Sequence, residues 1–99
     1  MSERTDRPKT LVVTFEEVAD ITGANELHRR LREALAEGVP VELRARRCER
    51  MDTAILQTLY AFFRAAGERD LPVSWQGVSP GVVDAAQRLG LAGALELQT

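Results

Sequence analysis

Histidine and cysteine occur once each in these 99 residues, as His28 and Cys48. That stock cannot build a cluster of metal ligands. It cannot form an internal disulfide either, so a reducing compartment, the cytoplasm, is the expected setting. Cys48 has no base near it in the sequence and reads as a small buried hydrophobe. His28 lies in the charged stretch ELHRRLRE and reads as a solvated helix residue. The phosphate-binding and nucleophile signatures GxxxxGK[ST], GxGxxG and GxSxG are absent. The inventory for catalysis is therefore thin, and no cofactor or metal is expected. Apolar runs are only a few residues long, too short for a membrane span. The opening MSERTDRPKT is polar and has no apolar core of a secretory signal. Thirteen basic residues against fifteen acidic ones give a net charge of −2, the wrong sign for a general nucleic-acid binder.

What is present is ordinary globular composition, 44% hydrophobic and 28% charged, in a length that suits one domain. Residues 1–9 read as a flexible lead, and 10–99 as a single domain. The run LVVTF at 11–15 predicts a strand, and the acidic segment 16–20 a turn. Thr22 is the expected N-cap of a first helix, whose Leu27, Leu31, Ala34 and Leu35 form an amphipathic stripe. Gly38 and Pro40 end it. Residues 39–45 alternate as a second strand, and the loop RRCERM leads to an apolar helix over 53–68. A third strand is expected over 71–76. Ser79-Pro80 opens a third helix, with Val82, Val83, Ala86 and Leu89 inward and Gly90 as its stop. Residues 91–97 form an apolar tail.

The order is β-α-β-α-β-α, an α/β fold whose three or four strands are mostly parallel. Parallel strands covered on both faces should be continuously apolar, and these alternate. The helices are therefore expected mainly on one face, leaving Val12, Thr14, Glu42, Arg44, Ser74 and Gln76 on an open one. With 1–9 outside the sheet, the first strand becomes an exposed edge that invites pairing with a second copy.

The segment RMDTAILQ, 50–57, marks the start of the central helix. Asp52 can accept hydrogen bonds from the orphan N–H groups there. Thr53 would stand exposed at the positive end of the helix dipole, a place that suits an added anion. A plain Asp-Thr cap would look the same. The broad apolar stripe of this helix should leave Tyr60 or Phe63 partly exposed beside Thr53 as an aromatic anchor for a partner. The arginines at 44, 46, 47 and 50 could grip phosphates. Yet the cluster is short, lacks interleaved aromatics and contains Glu49, as a solvated loop or the rim of a site for an acidic partner would.

Met51-Asp52-Thr53-Ala54 with Leu56 and Gln57, the run WQGVSP at 75–80, the closing RLGL at 88–91, and the helix–strand stretch 27–43 occur in an order that resembles a STAS domain. This is the module of anti-sigma factor antagonists and sulfate transporters. The resemblance covers residues 11–95. It implies a non-enzymatic regulatory domain that binds a protein partner, with Thr53 as phosphoacceptor and Asp52 as its neighbour. Asp52, Arg44, Arg50, Gln57 and Tyr60 are the candidate partner-binding residues around it. Three departures stand out. Ile55 occupies a place where the family often has Gly, Arg44 one where it commonly has Asp, and the usual opening strand has no counterpart in 1–9. The short build is also similar to the STAS subunits of lipid-transport ABC complexes and to those encoded beside bacterial chemotaxis kinases, where the domain can bind without a phospho-switch. Three readings follow. One is a switched antagonist with an anti-sigma kinase-like partner. Another is a constitutive subunit of an ABC transporter or chemotaxis kinase assembly. The third is a small nucleic-acid binder using the 44–50 loop.

Overall fold

The computed structural model describes residues 9–97. The lead expected at 1–9 lies outside the described residues but for Lys9, which carries no regular structure. The chain runs β1 (Leu11–Thr14), β2 (Val18–Ala19), a 3-10 turn (Ile21–Gly23), α1 (Ala24–Glu37), β3 (Val41–Ala45), β4 (Arg50–Met51), α2 (Thr53–Glu68), β5 (Val73–Val78) and α3 (Pro80–Arg88). Strands β1, β3 and β5 form a parallel sheet in that spatial order. β2 and β4 pair in a separate parallel ladder, with Val18 opposite Arg50 and Ala19 opposite Met51. The α/β succession and the parallel sheet are those expected from the sequence.

β3 decides the sidedness of the sheet. Val41, Leu43 and Ala45 are buried, while Glu42 and Arg44 alternate outward. Leu43, with 0% exposure, pairs with Val13 on one side and Trp75 on the other. The core gathers on this face: Leu27, Leu31 and Ala34 of α1 and Ile55, Leu56, Leu59, Phe62 and Phe63 of α2 are all buried. On the other face Val12, Thr14, Arg44, Ser74 and Gln76 are exposed and Glu42 partly so. That face is bare, as the alternation predicts.

The structure corrects several local expectations. Segment 16–20 is not only a turn, because Val18–Ala19 reach β4. Thr22 does not cap the first helix: Gly23 precedes α1 without a side-chain cap, and the 3-10 turn ahead of it is capped by Asp20. Its carboxylate accepts from the Thr22 N–H at 3.1 Å and from the Thr22 hydroxyl, and closes the 3-10 turn. These hydrogen bonds hold the Asp20 carboxyl below its ordinary pKa. A carboxylate is a better acceptor than a hydroxyl, so Thr22 serves as donor and α1 starts only at Ala24. The third strand extends to Val78, with Gln76 and Gly77 bulged opposite Arg44 and Gly77 at φ 91°. Leu89 is exposed rather than inward.

The tail beyond α3 forms turns and no strand. It buries Leu95 and Leu97, and the carbonyl of Leu95 accepts from the Trp75 indole N–H at 2.9 Å. The indole also stacks on Phe63, with ring centroids 6.3 Å apart.

Cys48 is fully buried, and its thiol lies 3.3 Å from the carbonyl of Arg50. Burial pushes the Cys48 pKa above its ordinary value. The native thiol should therefore react with a small alkylating reagent at least 100-fold more slowly at neutral pH than the urea-unfolded chain does. A mass-spectrometric time course of labelling checks this. The sidedness of the sheet makes a second prediction. Leu43→Ala, at the centre of β3, should cost about 2–5 kcal/mol. Val12→Ala, on the bare face, should stay within about 0.5 kcal/mol. Urea denaturation of both variants measures the contrast.

Candidate functional site

The start of α2 is set by its connection to the β2–β4 ladder. The Asp52 N–H donates to the carbonyl of Ala19 at 2.9 Å. The Asp52 carbonyl accepts from the N–H groups of Ile55 and Leu56 at 3.0 and 3.1 Å, which opens the helix. Both Ile55 and Leu56 are buried, so the first turn is anchored in the core. Thr53 is the first residue of α2 and is exposed.

The side chain of Asp52 does not cap the helix, contrary to the expectation from its position. Instead its Oδ1 lies 3.6 Å from Nε of Arg50. Arg50 stands two residues back on β4. Both side chains are substantially exposed, so the pair contributes little stability. The first turn of α2 lacks a side-chain cap, and its positive dipole end meets solvent.

Gln57 and Tyr60 follow Thr53 at i+4 and i+7, the spacing of one helix flank. Gln57 is exposed. Tyr60 is half-buried, with the Arg64 guanidinium 5.9 Å from its ring centroid. Of the two aromatic candidates only Tyr60 reaches the surface, since Phe63 is buried against Phe62 and Trp75. Arg44 sits on the bare face of the sheet, where its Nε donates to Glu42 at 2.6 Å. The structure thus places Asp52, Arg50, Gln57 and Tyr60 with Thr53 around one helix start, and turns Arg44 to the opposite side of the sheet.

Two residues bordering this site are not singled out by the sequence. Val18 is 47% exposed and Ile21 is 68% exposed. Val18 lies opposite Arg50 in the β2–β4 ladder, and Ile21 opens the 3-10 turn that packs against α2. A signal exists in the sequence: they are β-branched residues in an acidic connection, with no periodic apolar partner. The arrangement as a whole offers an exposed hydroxyl at a helix start, a neighbouring ion pair and a small apolar border.

Comparison with known proteins accords with this geometry. The family described as "Mlab, STAS domain" matches residues 3–99. A sulfate transporter family protein from Wolinella succinogenes, known from its crystal structure, shares the fold with a TM-score of 0.64. That likeness has 23% identity and covers 87% of this chain and 70% of the other. No curated protein matches. Among the described residues no helix is long and apolar enough to cross a membrane. STAS domains are generally non-enzymatic and serve regulation and partner binding, including in transporters. With a family match over nearly its whole length and the fold to go with it, this chain belongs to the STAS domain family.

Proposed function

We propose that this domain binds a protein partner through the start of α2 and that phosphorylation of Thr53 releases that partner. The observation that carries the reading is the exposure of Thr53 at the first position of a helix whose next core residues, Ile55 and Leu56, fix its first turn. A phosphate there adds about −1.5 to −2 charges at neutral pH. The uncapped helix start tolerates that charge, Asp52 opposes it, and Arg50 offsets the opposition. The fold survives while the surface that a partner meets changes sign. Val18, Ile21 and Tyr60 supply the apolar and aromatic contacts that interface centres favour, and Gln57 a polar one. A partner placing an acidic group at this helix end is expelled by like charge, which costs several kcal/mol. The partner class is an anti-sigma kinase-like protein, and the setting is cytoplasmic, in keeping with the lone buried thiol.

A second reading is favoured by Ile55. Where antagonists of the family often carry Gly, this chain carries a β-branched residue locked in the core. A stiff first turn suits a constitutive subunit of a larger complex, an ABC transporter or chemotaxis kinase assembly, that uses the same surface without a switch. The arginine cluster does not favour nucleic acid. Arg44 is paired with Glu42, and Arg50 with Asp52 on another part of the surface.

Calorimetric titration against a purified kinase-like partner separates the two readings. Thr53→Glu should fold normally and bind at least tenfold more weakly, while Thr53→Ala should bind as the unmodified protein does. Incubation with that kinase and ATP should add one phosphate to the wild type and none to Thr53→Ala, as read by intact mass. Equal affinity for Thr53→Glu and wild type hands the surface to the constitutive subunit.

A further inference from the structure

The arginine turn between β3 and β4 lies apart from the α2 surface, and it is held firmly. The Ala45 carbonyl accepts from the N–H groups of Cys48 at 3.3 Å and Ser79 at 3.1 Å. The Ser79 hydroxyl donates to the Cys48 carbonyl and accepts from the Val82 N–H. The start of α3 presses on the same turn, since a methyl group at Gly81 would lie 2.6 Å from the Glu49 carbonyl oxygen.

From this turn Arg46 and Arg47 reach the carboxyl ends of the strands on the bare face. There, with Arg44, Thr14, Glu42 and Gln76, they line a depression of about 450 Å³. Glu42 neutralises Arg44 at 2.6 Å. Arg46 is laid across the bulge in β5. A methyl group at Gly77 would sit 2.9 Å from the Arg46 Nε and 3.3 Å from its Cβ, so the glycine makes room for the guanidinium. Bulges serve in this way to aim side chains. Glu16 is the remaining carboxylate of the lining, which leaves an excess of one positive charge over the depression.

We infer that this depression binds a small phosphorylated ligand. Arg46 and Arg47 take the phosphate, and Thr14, Gln76 and Glu16 meet the hydroxyl or amino groups of the remainder. Three arguments support it. A guanidinium fork matches phosphate oxygens in a bidentate way that a lysine does not. The volume falls in the range of small-molecule sites and suits a sugar phosphate or a mononucleotide. Three arginines, one of them neutralised, and no aromatic platform beyond the buried Phe15 suit one phosphate better than a nucleic-acid backbone.

Amide NMR titrations of the full chain at physiological salt test this. The probes are inorganic phosphate, a hexose phosphate, a nucleoside monophosphate and a short DNA duplex. Saturable shifts are expected at Thr14, Arg46, Gln76 and Gly77, with the organic phosphates binding more tightly than inorganic phosphate. The pair Arg46→Gln and Arg47→Gln should lose at least tenfold in affinity with an unchanged melting temperature. Arg46→Lys should lose severalfold although its charge is kept. The control pair Arg32→Gln and Arg64→Gln, on α1 and α2, removes the same charge and should change nothing. The proposal is overturned by an absence of saturable shifts or by an equal loss in the control pair. It is also overturned if the duplex alone saturates these amides with a steep salt dependence.

Discussion

A sheet buried on one face and bare on the other has no freedom of register. Sliding β3 by a single residue would turn Leu43 out to water and drive Glu42 and Arg44 into the core. The charged pair would then be desolvated among leucines, at a cost no other contact in so small a domain can offset. The alternation of five residues, Val41–Ala45, therefore determines which face α1 and α2 cover and where the carboxyl ends of the strands lie. Both candidate sites stand on that outcome, one at the start of a covering helix and the other on the uncovered side.

The start of α2 inherits its rigidity from contacts remote in sequence. The β2–β4 ladder is only two residues long, yet it ties the β1–α1 connection to the residue before Thr53. From the other direction, Ser79 and Gly81 press the 45–49 turn into place. A loop that carries two arginines and a buried cysteine would otherwise be a free surface segment. Held at both ends, it presents charges in a defined arrangement, and preorganisation of this kind lowers the entropy cost of recognition.

Much of the fold was legible because its signals are periodic. The 3.6-residue stripe of α1 and the alternation of β3 each repeat a rule several times within one segment, and the Ser79-Pro80 helix start is a purely local signal. The features that escaped rest on single long-range encounters. A two-residue ladder has no period to read. The Gly77 bulge shows only when β5 is laid against β3. Asp52 stands at a helix start and yet does not cap it, which its position in the sequence cannot tell. The tail 91–97 is apolar in sequence, but only the tertiary fold shows that Leu95 receives the Trp75 indole. At the candidate site the same division holds. Thr53 could be located from its neighbours in the chain, while Val18 comes opposite Arg50 only through the β2–β4 ladder.

The contact between Gly81 and the Glu49 carbonyl also orders events in time. Every adjacent strand pair in this parallel sheet is separated by a helical crossover, so no pair can close as a local hairpin. The loop before α2 gains its contacts with Ser79 and Gly81 only when the residues that open α3 arrive. During synthesis, a chain that stops short of Ser79 already contains Thr53 and the arginines. It does not yet hold either in the form that another molecule would recognise. The shape of both surfaces thus depends on contacts between segments far apart in the chain, which form late in folding.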